Sequence, residues 1–252
     1  MAHIICISNQ KGGVGKTTTA INLSAALAAS ERKTLLVDCD PQANATTGIG
    51  IDKVNISKTL YHGLIGGTDV GSLIVDSAIH TLKVIPSRVE LIGFEIEMMS
   101  KPDREKALKN LLIQITNSFE YIILDCPPSL SLLTVNAMTA ADSLLIPLQC
   151  EFYALEGLGQ LLRTVRRIKS GLNPNLKIAG ILLTMFDQRT NLSHQVAEDA
   201  ERHFKSLVFK TIIPRNVRLG EAPSFGKPIL LYDAGSAGAK SYFDLAKEVI
   251  ER

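Results

Sequence analysis

The chain has 252 residues, 46% of them hydrophobic and 21% charged, with a formal net charge of +2. That composition supports a full-sized core in a single α/β domain spanning 1–252, and it excludes a disordered tail or a globally nucleic-acid-binding composition. No run approaches the roughly 18 apolar residues of a membrane span, and the N-terminal run is too short for a signal peptide, so a cytoplasmic protein is expected.

The first predicted strand is His3 to Ser8. It runs into Asn9-Gln10-Lys11-Gly12-Gly13-Val14-Gly15-Lys16-Thr17-Thr18, and a helix-like stretch follows at Ala20 to Ala29. Strand, glycine-rich turn, Gly-Lys-Thr and helix in that order predict a phosphate-binding loop. Gly12, Gly13 and Gly15, with Val14 between them, let backbone N–H groups face a phosphate, and the helix adds its positive end. Lys16 is expected to reach the outer phosphates, and Thr17, followed by Thr18, to join a Mg²⁺ shell. The usual pattern opens with glycine five residues before Gly15; here that position is Gln10, and a second lysine, Lys11, follows it.

The second strand, Thr34 to Asp38, leads into Cys39-Asp40-Pro41-Gln42. Lys53 to Gly71 is the least regular region, and Lys83 to Pro86 reads as a third strand. The fourth, Tyr121 to Asp125, is apolar at every position before its aspartate and leads into Cys126-Pro127-Pro128-Ser129. Such unbroken apolar strands predict a mainly parallel, doubly wound sheet with helices on both faces. In that fold ligands sit beyond the carboxyl ends of strands, where both acids fall. Asp125 suits a partner of Mg²⁺, and Asp38 or Asp40 suits metal binding or the orientation of an attacking water.

Further strands are predicted at Ser143 to Pro147, Lys177 to Thr184 and Lys210 to Ile213. The tail from Ser241 to Arg252 has apolar residues at helical spacing with mixed charge, and reads as a helix packed on the core. Cys6, Cys39, Cys126 and Cys150 each lie in or just after an apolar run, without zinc or redox spacing, and are expected to be buried thiols. From Glu151 to Lys227 there are 12 Lys and Arg against 7 Asp and Glu. A local basic surface of this kind predicts sequence-independent, salt-sensitive nucleic-acid binding.

Together these segments, with Pro147 to Gly157, Thr184 to Ser193 and Ile213 to Ile229, closely resemble the ParA/MinD group of P-loop ATPases, and within it the short chromosomal, Soj-like ParA partition proteins. The resemblance implies ATP and Mg²⁺ as ligands and an ATP-sandwich homodimer. In it Lys11 matches the lysine that reaches the phosphates held by the partner subunit. Asp40 matches the residue implicated in hydrolysis, and Asp125 the acid that supports Mg²⁺. Glu151 matches a position at the dimer side of the nucleotide, and Pro214 with Asn216 a segment bordering adenine. Arg189 and Arg218 match positions implicated in DNA contact, to which the basic run adds Arg163 and Arg166.

The implied function is ATP-dependent, non-specific DNA binding, released on weak hydrolysis stimulated by a ParB-type partner, in a nucleoid-associated protein. The helix-turn-helix region of larger plasmid relatives has no counterpart before the phosphate loop, so operator recognition is not expected. Three rival readings are a MinD-like membrane-associated positioning ATPase, an iron–sulfur carrier of the same fold, and a small-molecule phosphotransferase. They would need, respectively, a terminal basic amphipathic helix, paired surface thiols and a separate acceptor pocket.

Overall fold

The computed structural model describes residues 1–252. Seven strands form one sheet: β1 (His3–Ile7), β2 (Thr34–Asp38), β3 (Val75–Asp76), β4 (Leu82–Ile85), β5 (Tyr121–Asp125), β6 (Ser143–Gln149) and β7 (Lys177–Thr184). Their spatial order is β3-β4-β2-β5-β1-β6-β7, and every neighbouring pair is parallel except the short edge pair β3 and β4.

The helices are α1 (Lys16–Ala29), α2 (Asn44–Gly48), α3 (Leu60–Leu64), α4 (Gly93–Glu97), α5 (Ala107–Leu112), α6 (Leu132–Ala140), α7 (Ala154–Gly171), α8 (Asn191–Phe204), α9 (Val217–Glu221), α10 (Ile229–Tyr232) and α11 (Ala237–Glu251).

The apolar strands divide their side chains between two cores. Ile4, Cys6, Leu35, Val37, Ile122 and Leu124 face one core with Leu133, Leu158 and Leu161 of α6 and α7. Ile5, Ile7, Leu36 and Ile123 face the other, with Leu23 and Leu27 of α1 and Tyr242 and Leu245 of α11. Burial on both faces is why these strands show no polar alternation. The tail helix expected at the C-terminus is α11, with Tyr242, Leu245 and Ala246 buried. All four thiols are buried and unpaired.

β1 and β4 differ from expectation by one residue at one end or both, and two other predicted strands depart further. β6 continues through Pro147 to Gln149, which a proline ordinarily discourages. The Pro147 carbonyl accepts the Asn9 side-chain amide at 2.7 Å, beyond the end of β1, and the absent N–H faces the same margin, so no ladder rung is lost. Lys210 to Ile213, in contrast, forms no strand. Phe209 N and Ile213 N do donate to Ile181 and Leu183 of β7, but between them Lys210 N and Thr211 N turn to the Glu248 carboxylate at 2.9 and 3.0 Å. A carboxylate on α11 has replaced the ladder.

Candidate active site

β1 lies in the interior of the sheet, with β5 on one side and β6 on the other. The glycine-rich loop therefore leaves the sheet where strands on both sides also end, the crevice in which open α/β sheets bind ligands. Gly13 and Gly15 adopt φ of 74° and 84°, a left-handed conformation that favours glycine. A Cβ at Gly13 would meet nothing within 4 Å, so conformation rather than space requires that glycine. The Thr184 hydroxyl at the end of β7 donates to the Val14 carbonyl at 2.9 Å and ties the loop to the sheet.

The two loop lysines behave differently. Lys16 is buried, and its ammonium donates to the Lys11 carbonyl at 2.8 Å, closing the loop on itself. Burial lowers its pKa, opposed by the charges of Asp125 and Asp40. Lys11 points away from the loop interior: its ammonium lies 3.1 Å from Glu151, just beyond β6, with both side chains partly exposed.

Three carboxylates stand beneath or beside this loop. Asp125 is fully buried, and neither carboxylate oxygen accepts a hydrogen bond in bonding geometry. Burial and then the neighbouring Asp38 push its pKa well above the carboxylate range, against the weaker pull of Lys16 and of the Thr17 hydroxyl, which is close but outside hydrogen-bonding geometry. A buried carboxylate without donors beside the first turn of α1 calls for a cation or its water shell. Mg²⁺, with Thr17 at hand, fits that requirement. No cluster of three or more His, Cys, Asp or Glu side chains is prearranged to hold a metal, so phosphate and water oxygens would complete such a shell.

Asp38 also lies at the end of its strand but is already satisfied. It accepts from the Thr46 hydroxyl and backbone N–H at 2.6 and 2.8 Å and from Asp40 N at 3.1 Å. Burial still raises its pKa to about 6. Asp38 thus anchors the start of α2 beneath the site. Asp40 instead lines the phosphate cavity, with one oxygen accepting from Gln42 N at 2.9 Å.

Two cavities meet at the loop. One, of about 330 Å³, is lined by Gly12, Gly13, Lys16, Thr17 and Asp40. The other, of about 300 Å³, is lined by Ile213, Pro214, Asn216, Leu219 and Tyr242 and is mostly apolar. Gly15, Thr18 and Met185 belong to both. A polar chamber opening into an apolar one matches the two halves of a nucleotide. Asn216 spends its carbonyl oxygen capping α9 through Arg218 N at 2.9 Å, which leaves its amide N–H groups available.

Sequence reasoning brought Lys16, Thr17, Thr18, Asp40, Pro214 and Asn216 to one place, and the structure lines the joined cavities with them. Glu151 stands outside both, at Lys11. The structure adds Thr184 and Met185, which fall in a segment matching the family but were given no role there, and Tyr242, which no matching segment contains; the fully buried Tyr242 hydroxyl bonds Thr19 at 3.2 Å.

The basic residues lie elsewhere. The exposed side of α7 carries Arg163, Arg166 and Arg167 without acidic partners, because its apolar stripe of Leu158, Leu161, Val165 and Ile168 is turned to the core. Arg189 and Arg218 are exposed but paired, with Asp187 at 2.7 Å and Glu221 at 2.9 Å. The bidentate Arg189 contact holds Asp187 well below the usual carboxylate range.

Residues 2–178 match the family model described as an AAA domain. The chain is 55% identical to the "Chromosome partitioning protein ParA" of Myxococcus xanthus, over 100% of this chain and 89% of that protein. It is likewise 55% identical to the "Sporulation initiation inhibitor protein Soj" of Bacillus subtilis, over 99% and 98% of the two. Among solved structures, cobyrinic acid a,c-diamide synthase from Mycobacterium smegmatis, with bound ATP analogue and magnesium, superposes with a TM-score of 0.88. It is 34% identical, over 100% of this chain and 95% of that one.

Proposed function

Because this chain belongs to the ParA/Soj family of chromosome-partitioning P-loop ATPases, we propose that it works as an ATP-sandwich homodimer. In this reading it binds DNA non-specifically in the ATP state and releases it on hydrolysis stimulated by a ParB-type partner, with residues 1–252 acting as one nucleoid-associated unit.

The observation that carries the reading is the direction of Lys11. It opens the phosphate loop yet does not line the phosphate cavity of its own chain, and Glu151 holds it outward at 3.1 Å. A lysine in that position serves phosphates outside its own cavity, and a second copy of the loop supplies them. Within one protomer the backbone of Gly12 to Thr18 and the Lys16 ammonium bind the phosphates. Thr17 and the donor-free Asp125 hold Mg²⁺, which neutralises phosphate charge when bound. Asp38 fixes the loop after β2, and Asp40 orients water at the cavity wall. Pro214 and Asn216 border the base, and Glu151 changes partners as Lys11 extends. Hydrolysis at such a site depends on orientation and charge stabilisation rather than a strong base.

Arg163 and Arg166 supply free positive charge on α7, and Arg189 and Arg218 supply charge that DNA phosphates would share with their acidic neighbours. Pairing doubles this surface, which links DNA affinity to ATP. No helix is long and apolar enough to cross a membrane. The apolar side of α11 is spent on the core, which disfavours a MinD-like membrane anchor there. The diamide synthesis named for the Mycobacterium protein belongs to a relative at 34% identity, against 55% for the partition proteins. DNA retention measured with ADP, ATP and a non-hydrolysable analogue across a salt series tests the proposal. Retention confined to the two triphosphates and lost with salt is expected; equal retention with ADP would refute it.

A further inference from the structure

We propose that the apolar stripe formed by Val89, Ile92, Ile96 and Met99 is a docking face for a basic, amphipathic segment of a partner protein, and that docking there bears on the Asp40 loop. The binding is argued from the surface alone, whereas its effect on hydrolysis rests on the ATPase reading of the site.

From Val89 to Met99 the chain passes through a turn of 3-10 helix, Val89–Ile92, and then α4, so its side chains divide between two sides. Leu91 and Phe94 are fully buried in the core shared with α6 and α7. Val89, Ile92, Ile96 and Met99, spaced by three, four and three residues, are turned outward and are 56 to 71% exposed. Single apolar residues on a surface are ordinary, but four at the period of one helical face form a stripe about 15 Å long, room for two to three turns of a helix laid against it.

Charge selects the occupant. Three glutamates and no lysine or arginine lie between Val89 and Ser100. Arg88 offsets Glu90 at 3.2 Å, but Glu95 touches only the neutral Leu132 N–H, at 3.0 Å, and Glu97 only the Tyr61 hydroxyl. Two negative charges thus stand uncompensated along the stripe. They repel DNA and anionic lipid, and a twofold contact with a second copy would set the same glutamates against one another. A protein segment whose apolar side chains are flanked by lysine or arginine meets both features.

The face also reaches the phosphate site from outside. Ile92 and Glu95 line a cavity of about 200 Å³ with Pro41, Pro127 and Leu133. Pro41 follows Asp40, and Pro127 stands two residues beyond Asp125. Ser131, whose buried hydroxyl makes no hydrogen bond, lines the same cavity and offers a polar contact to whatever enters. A side chain pressed in here meets the loops that carry both acids without meeting the nucleotide.

The test titrates the intact chain, with ATP, with a rhodamine-labelled amphipathic helical peptide of leucine, alanine and arginine, and with its counterpart carrying glutamate for arginine. Anisotropy reads binding, and phosphate release, light scattering and melting are followed alongside. The arginine peptide should bind the parent and change its phosphate release, and the glutamate peptide should do neither. Ile92→Ser with Ile96→Ser should melt and pair as the parent does and bind the arginine peptide about tenfold more weakly. Glu97→Gln should weaken it about threefold. If the double variant melts lower, Val89→Ser with Met99→Ser replaces it. Equal affinity of parent and serine variants, or preference for the glutamate peptide, would overturn the proposal. Loss of ATP-dependent pairing in the serine variants would overturn it in favour of a second copy on this face. Binding that leaves phosphate release unchanged in an active parent would overturn the link to the Asp40 loop. A parent that hydrolyses no ATP would instead remove the ATPase reading, while peptide binding still decides the face.

Discussion

The Lys11 ammonium and the Glu151 carboxylate are 3.1 Å apart, with side-chain exposures of 37% and 47%. An ion pair this open to water is worth at most about 1 kcal/mol, so it parks Lys11 without locking it. A triphosphate on a second protomer offers several charge-assisted contacts and outcompetes one carboxylate. Lys11→Ala should therefore keep ATP affinity within about threefold while abolishing ATP-dependent pairing, as read by light scattering after size exclusion.

Asp40 lines the phosphate cavity, whereas Asp38, two residues earlier, is consumed by Thr46. Asp40→Ala should slow phosphate release by about 100-fold or more and preserve ATP binding, leaving a long-lived DNA-retained state. Asp38→Ala should behave differently, losing about 1–3 kcal/mol of stability because it strands the buried Thr46 hydroxyl and N–H. Phosphate release and urea unfolding of the two variants separate the roles.

The free arginines on α7 and the paired ones at Arg189 and Arg218 should differ in how they respond to substitution. Arg163→Glu with Arg166→Glu removes charges without acidic partners and should lower the slope of log affinity against log salt by about 0.9 for each DNA phosphate left unneutralised. Arg189→Glu with Arg218→Glu also leaves Asp187 and Glu221 without their cations, adding repulsion, so DNA retention should fall further while ATP-dependent pairing persists. Fluorescence anisotropy with a random duplex measures both.

Glu248 is where α11 meets the segment between α8 and α9 that runs beside β7. Its burial works against ionisation, but Lys210 N, Thr211 N and Arg252 outweigh that and leave its pKa below the ordinary glutamate value. A depressed carboxylate contributes stability above its unfolded pKa and loses it as pH falls through its folded pKa. Glu248→Gln should cost about 1–3 kcal/mol at pH 7, and the difference from the parent should shrink as pH drops below about 4.5. Denaturant unfolding at several pH values checks the sign.

Much of this was legible in the residues. β2, β5 and β7 have the predicted limits because their apolar runs end in Asp38, Asp125 and the turn at Thr184, each a chemical change at the sheet edge. The glycine loop was legible because its backbone demands particular residues. Lys210 to Ile213 was misread because its apolar period is genuine, while its hydrogen-bond partner, Glu248, lies 38 and 37 residues away from Lys210 and Thr211. The two-residue β3 is too short to carry a period at all. Met185 was given no role for another reason: its side chain says nothing of the left-handed backbone, φ 51°, that it adopts. Likewise, no pattern distinguishes the satisfied Asp38 from the orphaned Asp125, since only the fold supplies Thr46 to one and no donor to the other.

Asp125 pairs in register with Ile7 of β1 on one side and Asp38 of β2 on the other. That row of three acts as a common zero mark from which the phosphate loop, the Asp40 loop and the loop after Asp125 are all measured. Lengthening any of those loops leaves the mark where it is. Slipping one strand by a single residue would instead exchange its two faces and carry its acid into the wrong core. Tolerance to change in this protein should thus be uneven in a particular way. Insertions in the irregular segment from Lys53 to Gly71 should be absorbed, whereas a one-residue deletion within Tyr121 to Asp125 should cost the fold and the site together.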